Sequence, residues 1–234
     1  MLLKKIKFIF IIFLLYQTPV SSKSISFDDF NSKNFSKYFS GIVALKNKEN
    51  SKALDFFNSS KILTNKHDPY LKKYVYSLAS ESKILQAINL IKQNKGKKNS
   101  DFFEAYLLLI TDSLKKNNFN QAAVYLSAAL NFTKKNKFNL AILESLEQYI
   151  FVFKENKILS DKKSFGKLSM ISETFQRCYL GDSQTDKYFF DLTNDKEGNF
   201  TRYTYFYLGY LIDQNKVDDA KVIADNIKLI NTTL

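Results

Sequence analysis

At 234 residues the chain is long enough for one or two ordinary cores, and a net charge of +12 makes it basic. Two prolines and six glycines leave long helices unbroken and supply too few tight turns for a many-stranded β protein. The positive charge is dispersed lysine, with Arg177 and Arg202 the only arginines, so a phosphate-forking or base-reading surface is not expected and nucleic acid is not an expected partner.

Residues 1–22 open with Lys4, Lys5 and Lys7, continue with the apolar run Phe8–Tyr16, and break at Gln17, Thr18 and Pro19 before the small residues Ser21 and Ser22. This is the three-part layout of a secretory signal peptide, and Val20 and Ser22 suit the small-residue cleavage rule. The run is about half of the ~20 residues that span a bilayer. The segment therefore predicts an exported, periplasmic protein, with an uncleaved membrane anchor as the alternative; membrane contact is expected only through this segment. Export makes the lone Cys178 worth reading. It has no partner for an internal disulfide, so it reads as a small buried hydrophobe on a helix, with an intermolecular disulfide as the other reading.

Residues 23–134 carry a repeat. Ala53, Ala87 and Ala122 lie 34 and 35 residues apart, and each is followed four places later by a large apolar residue, Phe57, Ile91 or Leu126. That spacing puts the two on one helical face. Polar breaks precede them at Lys46–Asn50, Ser80–Lys83 and Lys115–Asn118, and apolar-periodic stretches precede the breaks at Tyr38–Leu45, Tyr70–Ala79 and Phe102–Leu114. Each unit is thus helix, short turn, helix, and neighbouring units must stack to bury their stripes.

Residues 135–198 are less regular. Lys137–Glu155 and Lys163–Tyr179 read as long helices, the second capped by Gly181; the aromatic piece Tyr188-Phe189-Phe190 and a turn at Thr193–Gly198 follow. In residues 199–234 the pattern returns: Tyr203–Tyr210 predicts a first helix, Asp213–Lys216 a turn, and Val217–Ala224 the start of a second helix with Ala220 and Ala224 at the small positions. No polar capping helix follows, which suggests the start of a longer array.

The unit resembles the tetratricopeptide repeat, whose pattern is W-x2-L-G-x2-Y, then A-x3-F, with a 34-residue period. Gly41, Ala44, Ala53 and Phe57 fall on its glycine, tyrosine, alanine and phenylalanine positions; Ala87 with Ile91 and Ala122 with Leu126 continue the register, and Ala220 holds the small-residue position of the last unit, where it follows Gly209 by one residue less than Ala53 follows Gly41. The glycine of the first helix is expected to face the alanine of the second, so that the backbones approach closely. The resemblance implies an all-α, right-handed α-solenoid with an irregular middle section. It also implies a concave groove lined by first helices, here Tyr38, Ile42 and Lys46, then Lys72 and Tyr76, then Leu107, Thr111 and Lys115. Tyr38 and Ile42 stand where the carboxylate-clamping variant of the family has Lys and Asn.

Catalytic chemistry has little to stand on. His67 is the only histidine, beside Asp68 and Pro69 in a turn, and with one Cys no zinc-type spacing or Cys–His pair is formed. There is no phosphate loop or nucleophile elbow. Asp28-Asp29 and Asp218-Asp219 are adjacent and read as helix-start charge rather than an acid/base pair. No catalytic residue, metal or cofactor is expected. The layout resembles bacterial exported tetratricopeptide envelope proteins, which implies a non-enzymatic scaffold binding a protein partner. The alternatives are a helical enzyme or enzyme subunit acting on a polyanionic or glycan polymer, and a membrane-tethered adaptor.

Overall fold

Among the described residues the same turn joins helix to helix five times. At Lys48, Ser82, Asn117, Gly181 and Asn215 the backbone enters the left-handed region, with φ between 54° and 64°. Around Ser82, its own N–H donates to the Ala79 carbonyl at 3.0 Å and the Lys83 N–H donates to the Leu78 carbonyl at 2.8 Å. The Asn117, Asn215, Lys48 and Gly181 turns repeat this pair of bonds. Such a wrap satisfies the last carbonyls of the outgoing helix. In four of the turns the next residue's carbonyl then accepts from the repeat alanine, Ala53, Ala87, Ala122 or Ala220, at 3.0–3.1 Å, so the alanine register is set by the turn itself.

The computed structural model describes residues 32–134, 136–195 and 200–232. The signal-peptide segment 1–22, the Asp28-Asp29 pair, Gly198 of the turn at 193–198 and the final Thr233 and Leu234 lie outside them. The described residues are all-helical, with no strand among them. The α-helices are α1 (Ser32–Lys46), α2 (Asn50–Asn58), α3 (Asp68–Ser80), α4 (Ile84–Gln93), α5 (Phe103–Lys115), α6 (Phe119–Ala129), α7 (Lys137–Glu155), α8 (Lys167–Leu180), α9 (Thr185–Thr193), α10 (Thr201–Asp213) and α11 (Val217–Thr232). The chain divides after Lys66 into two compact units.

The first unit is the α1–α2 hairpin and the 3₁₀ turn Lys61–Asn65. Tyr38, Ala44, Ala53, Leu54, Phe57 and Leu63 are buried. The first-helix glycine does not serve as expected. A Cβ at Gly41 would lie 3.0 Å from Cε1 and Cζ of Phe57, so the missing side chain makes room for a ring, and Ala53 is not its nearest neighbour.

The second unit starts at His67, the N-cap position of α3, with Pro69 in the helix's first turn. There Pro costs nothing, because that N–H has no helical partner. Ala87 and Ala122 are fully buried, and Phe103, Ile110, Leu126, Ala129, Leu143 and Ile150 form one apolar cluster across α5, α6 and α7. Asn118 and Asn136 cap α6 and α7, the second accepting from the Phe138 and Asn139 N–H groups at 3.0 and 3.1 Å.

α7 and α8 break the alternation. Ser145 meets Ser172 at 2.6 Å, the Tyr149 hydroxyl donates to the Ser172 carbonyl, and Phe153 packs edge-on against Tyr179 at 4.7 Å, so the two helices run parallel. Residues 156–166 return without α-helix along α7, where Lys163 pairs with Glu144 at 2.6 Å. α8 accordingly starts at Lys167, four residues later than the apolar spacing predicted. α8–α9 and α10–α11 are again hairpins, and their left-handed turn residues, Gly181 and Asn215, are 34 residues apart. Phe189, Tyr207, Leu211 and Ala220 centre a second apolar cluster, with Phe189 stacked on Tyr207 at 5.5 Å.

Candidate functional site

α3 and α5 lie side by side and run in the same direction. Lys72 pairs with Glu104 at 2.9 Å, and further along Val75, Tyr76 and Ala79 share a cleft with Leu107 and Leu108. These positions recur at three- and four-residue spacing, which keeps each set on one face of its helix. The cleft holds about 220 Å³ and its lining is almost wholly carbon. Tyr76 stands 60% exposed at its mouth, a large ring left to water. At the other end the Lys72 ammonium lies 5.8 Å from the centroid of Phe102. Both partners of the Lys72–Glu104 pair are about half exposed, so the pair adds little stability, but it holds charge of both signs beside an apolar slot.

Three of the expected groove residues, Lys72, Tyr76 and Leu107, are therefore brought together. Thr111 and Lys115 lie further along α5, outside the cleft, and the Thr111 hydroxyl donates to the Leu107 carbonyl of its own helix at 2.9 Å. In the first unit Lys46 is exposed at the end of α1 and Ile42 is half-buried. Tyr38 is a correction: it is 3% exposed and packs on Phe57 at 6.0 Å, so it belongs to the hairpin core and cannot line an open groove. The sequence reading missed Phe102, Glu104 and Leu108. The spacing of 104 and 108 signals one helical face, but not that this face meets Lys72 and Tyr76.

Ionisable groups gather elsewhere, at the start of the α8–α9 hairpin. Glu173 takes Lys162 at 2.7 Å and Arg177 at 2.7 Å, and Arg177 also reaches Asp182 at 2.9 Å while lying 4.3 Å from the Tyr188 ring centroid. Burial works against the Glu173 charge, but hydrogen bonds from Lys162, Arg177 and Tyr188 outweigh it and hold the carboxyl below its usual range. Such a carboxylate is poorly suited to proton transfer near neutral pH. It ties the two helices together. Cys178 is half-buried against the α8–α11 cluster, and burial, then Asp213, pushes its thiol up, away from the reactive thiolate. Asp218 and Asp219 stand in the first turn of α11, as helix-start charge. Among the described residues no three His, Cys, Asp or Glu side chains converge as a metal site, and no helix is long and apolar enough to cross a membrane. No family model, curated protein or solved structure matches the chain.

Proposed function

We propose that the chain is a non-enzymatic scaffold of the tetratricopeptide type, its hairpins stacked as a right-handed α-solenoid, which acts in the bacterial envelope by holding a peptide or a partner helix. The observation that carries this reading is the α3–α5 cleft. Two first helices run parallel and leave Tyr76, Leu107 and Leu108 as an apolar slot, with Lys72 and Glu104 at one end. An amphipathic segment lays apolar anchors into a slot of this kind and is oriented by charges at its rim. The recurrence of one turn at 34- and 35-residue spacing, from Lys48 to Ser82 to Asn117, supports the repeat assignment. Export rests on residues 1–22 alone, and the mass of the mature N-terminus tests it.

The function itself is tested by placing a photo-crosslinking aromatic residue at position 76 in cells. The expected result is a discrete adduct with one envelope protein, greatly reduced when Leu107→Gln is added to a chain that still melts cooperatively. No adduct above background, or one indifferent to Leu107→Gln, would overturn the proposal.

A further inference from the structure

A second cavity, of about 400 Å³, opens between α4, α5 and α6, and its chemistry differs from that of the cleft. Lys92 in the last turn of α4 and Lys95, Lys97 and Lys98 in the loop that follows surround it. Its inner wall is carbon: Ile91, Ala105 and Leu109 are buried there, with the Tyr106 and Tyr125 rings beside them. The volume is in the range of small-molecule pockets.

Within the lining, lysines outnumber acids. Asp101 is the one acid of the lining, and its carboxylate already accepts from the Tyr106 hydroxyl at 2.7 Å. Lys92 is matched by Asp112 at 2.8 Å, but Asp112 is shared with Lys116 at 2.7 Å. Lys95 lies 5.6 Å from the Tyr125 centroid, Lys97 donates to the Asn94 side-chain oxygen at 3.0 Å, and Lys98 is exposed at the lip. A ring of ammonium groups over a low-dielectric wall focuses positive potential into the opening.

The wall offers carbon rather than directed hydrogen bonds. The Tyr106 hydroxyl is committed to Asp101 and the Ser100 hydroxyl to the Lys97 carbonyl at 2.8 Å. Burial, and then Asp101, pushes the Tyr106 phenol up to about 12, so the wall carries no phenolate at neutral pH. A sugar would find few free partners for its hydroxyls, and a bare inorganic anion would leave the apolar wall unused. We infer that this cavity binds a small amphipathic anion, an acyl or aryl body ended by a carboxylate or a phosphate, with the body against Ile91, Ala105 and Leu109 and the head between Lys95 and Lys98.

Calorimetric titration of the full chain with decanoate, decyl phosphate and decylamine, each below its micelle concentration, and with inorganic phosphate tests it. The expected result is saturable binding of decanoate or decyl phosphate at one site, with no comparable binding of decylamine or inorganic phosphate. A preference for decanoate points to free acids as the source, and a preference for decyl phosphate to lipid headgroups. Lys95→Glu with Lys98→Glu, both at exposed positions, should weaken binding at least tenfold without lowering the melting temperature, and Tyr76→Ala should leave it unchanged. Decylamine binding as well as decanoate, inorganic phosphate competing with decyl phosphate at equal concentration, an acidic peptide binding tighter than either alkyl anion, or indifference to the charge reversal would each overturn the assignment.

Discussion

Single residues decide how closely these helices approach and how tightly their turns close. Ala87 is fully buried and its N–H closes the first turn of α4, so Ala87→Phe must displace the side chains packed around it. Overpacking of this kind costs about 1–3 kcal/mol. Thermal melting should show the loss, and an unchanged midpoint would refute the alanine register. The turns give the opposite prediction. Ser82 holds φ 58°, where a Cβ is strained, whereas Asn117 at φ 54° is a residue type that tolerates this region. Ser82→Gly should stabilise by about 0.5–1 kcal/mol, and Asn117→Gly by distinctly less, measured side by side in urea. Ala53, Ala87, Ala122 and Ala220 were legible in the sequence because a small residue at a fixed distance from a polar break has few other reasons to recur. Tyr38 was not, since an aromatic ring on a first helix fits the groove and the core equally well by periodicity. Only the contact with Phe57 places it.

At the scale of elements, polar groups tie the last two hairpins together. Asp186 of α9 accepts from the Tyr207 hydroxyl of α10 and is ion-paired with Lys216 in the α10–α11 turn. The hydrogen bond from Lys216, and then that from Tyr207, holds the Asp186 carboxyl below its usual range. A carboxyl with a lowered folded pKa contributes stability above its unfolded pKa, about 3.9, and loses it as the pH falls through the folded value. Asp186→Asn should therefore melt at a lower temperature than wild type by a constant margin from about pH 5 to 8, and the margin should shrink below about pH 4. A margin that persists undiminished at pH 2 would show that the side chain acts by packing alone. The middle section was harder to read for a physical reason. Residues 156–166 have no helical apolar period, and nothing local says that such a segment runs back along α7 and sets α8 parallel to it. Gly181 was legible as a cap. Its distance of 34 residues from Asn215, which marks α8–α9 as a hairpin in step with α10–α11, was open to view in the numbering but needed the turn geometry to give it meaning.

Across the second unit, the earlier and later hairpins meet at the α7–α8 seam. The α5–α7 cluster around Ile110 and Leu143 and the α8–α11 cluster around Phe189 and Leu211 have no buried residue in common. Phe153 spans the seam between them: it packs on Phe119 of α6, at the edge of the first cluster, at 6.2 Å, on Tyr149 at 5.8 Å and on Tyr179 of α8 at 4.7 Å. Arrays of helical hairpins gain cooperativity from such neighbour interfaces, because each unit contacts only those beside it. Phe153→Ala removes three ring contacts from a half-buried position and should cost about 2 kcal/mol, near the low end for loss of a packed aromatic. The distinctive result is in the distribution of that loss. Hydrogen exchange followed peptide by peptide should show α5–α6 and α10–α11 opening with similar free energies in the wild type and separating in the variant, with one cluster yielding first as denaturant rises. If the two sets of peptides weaken equally and remain in step, the seam is not where cooperativity is held, and the parallel α7–α8 pair is only a detour in the chain.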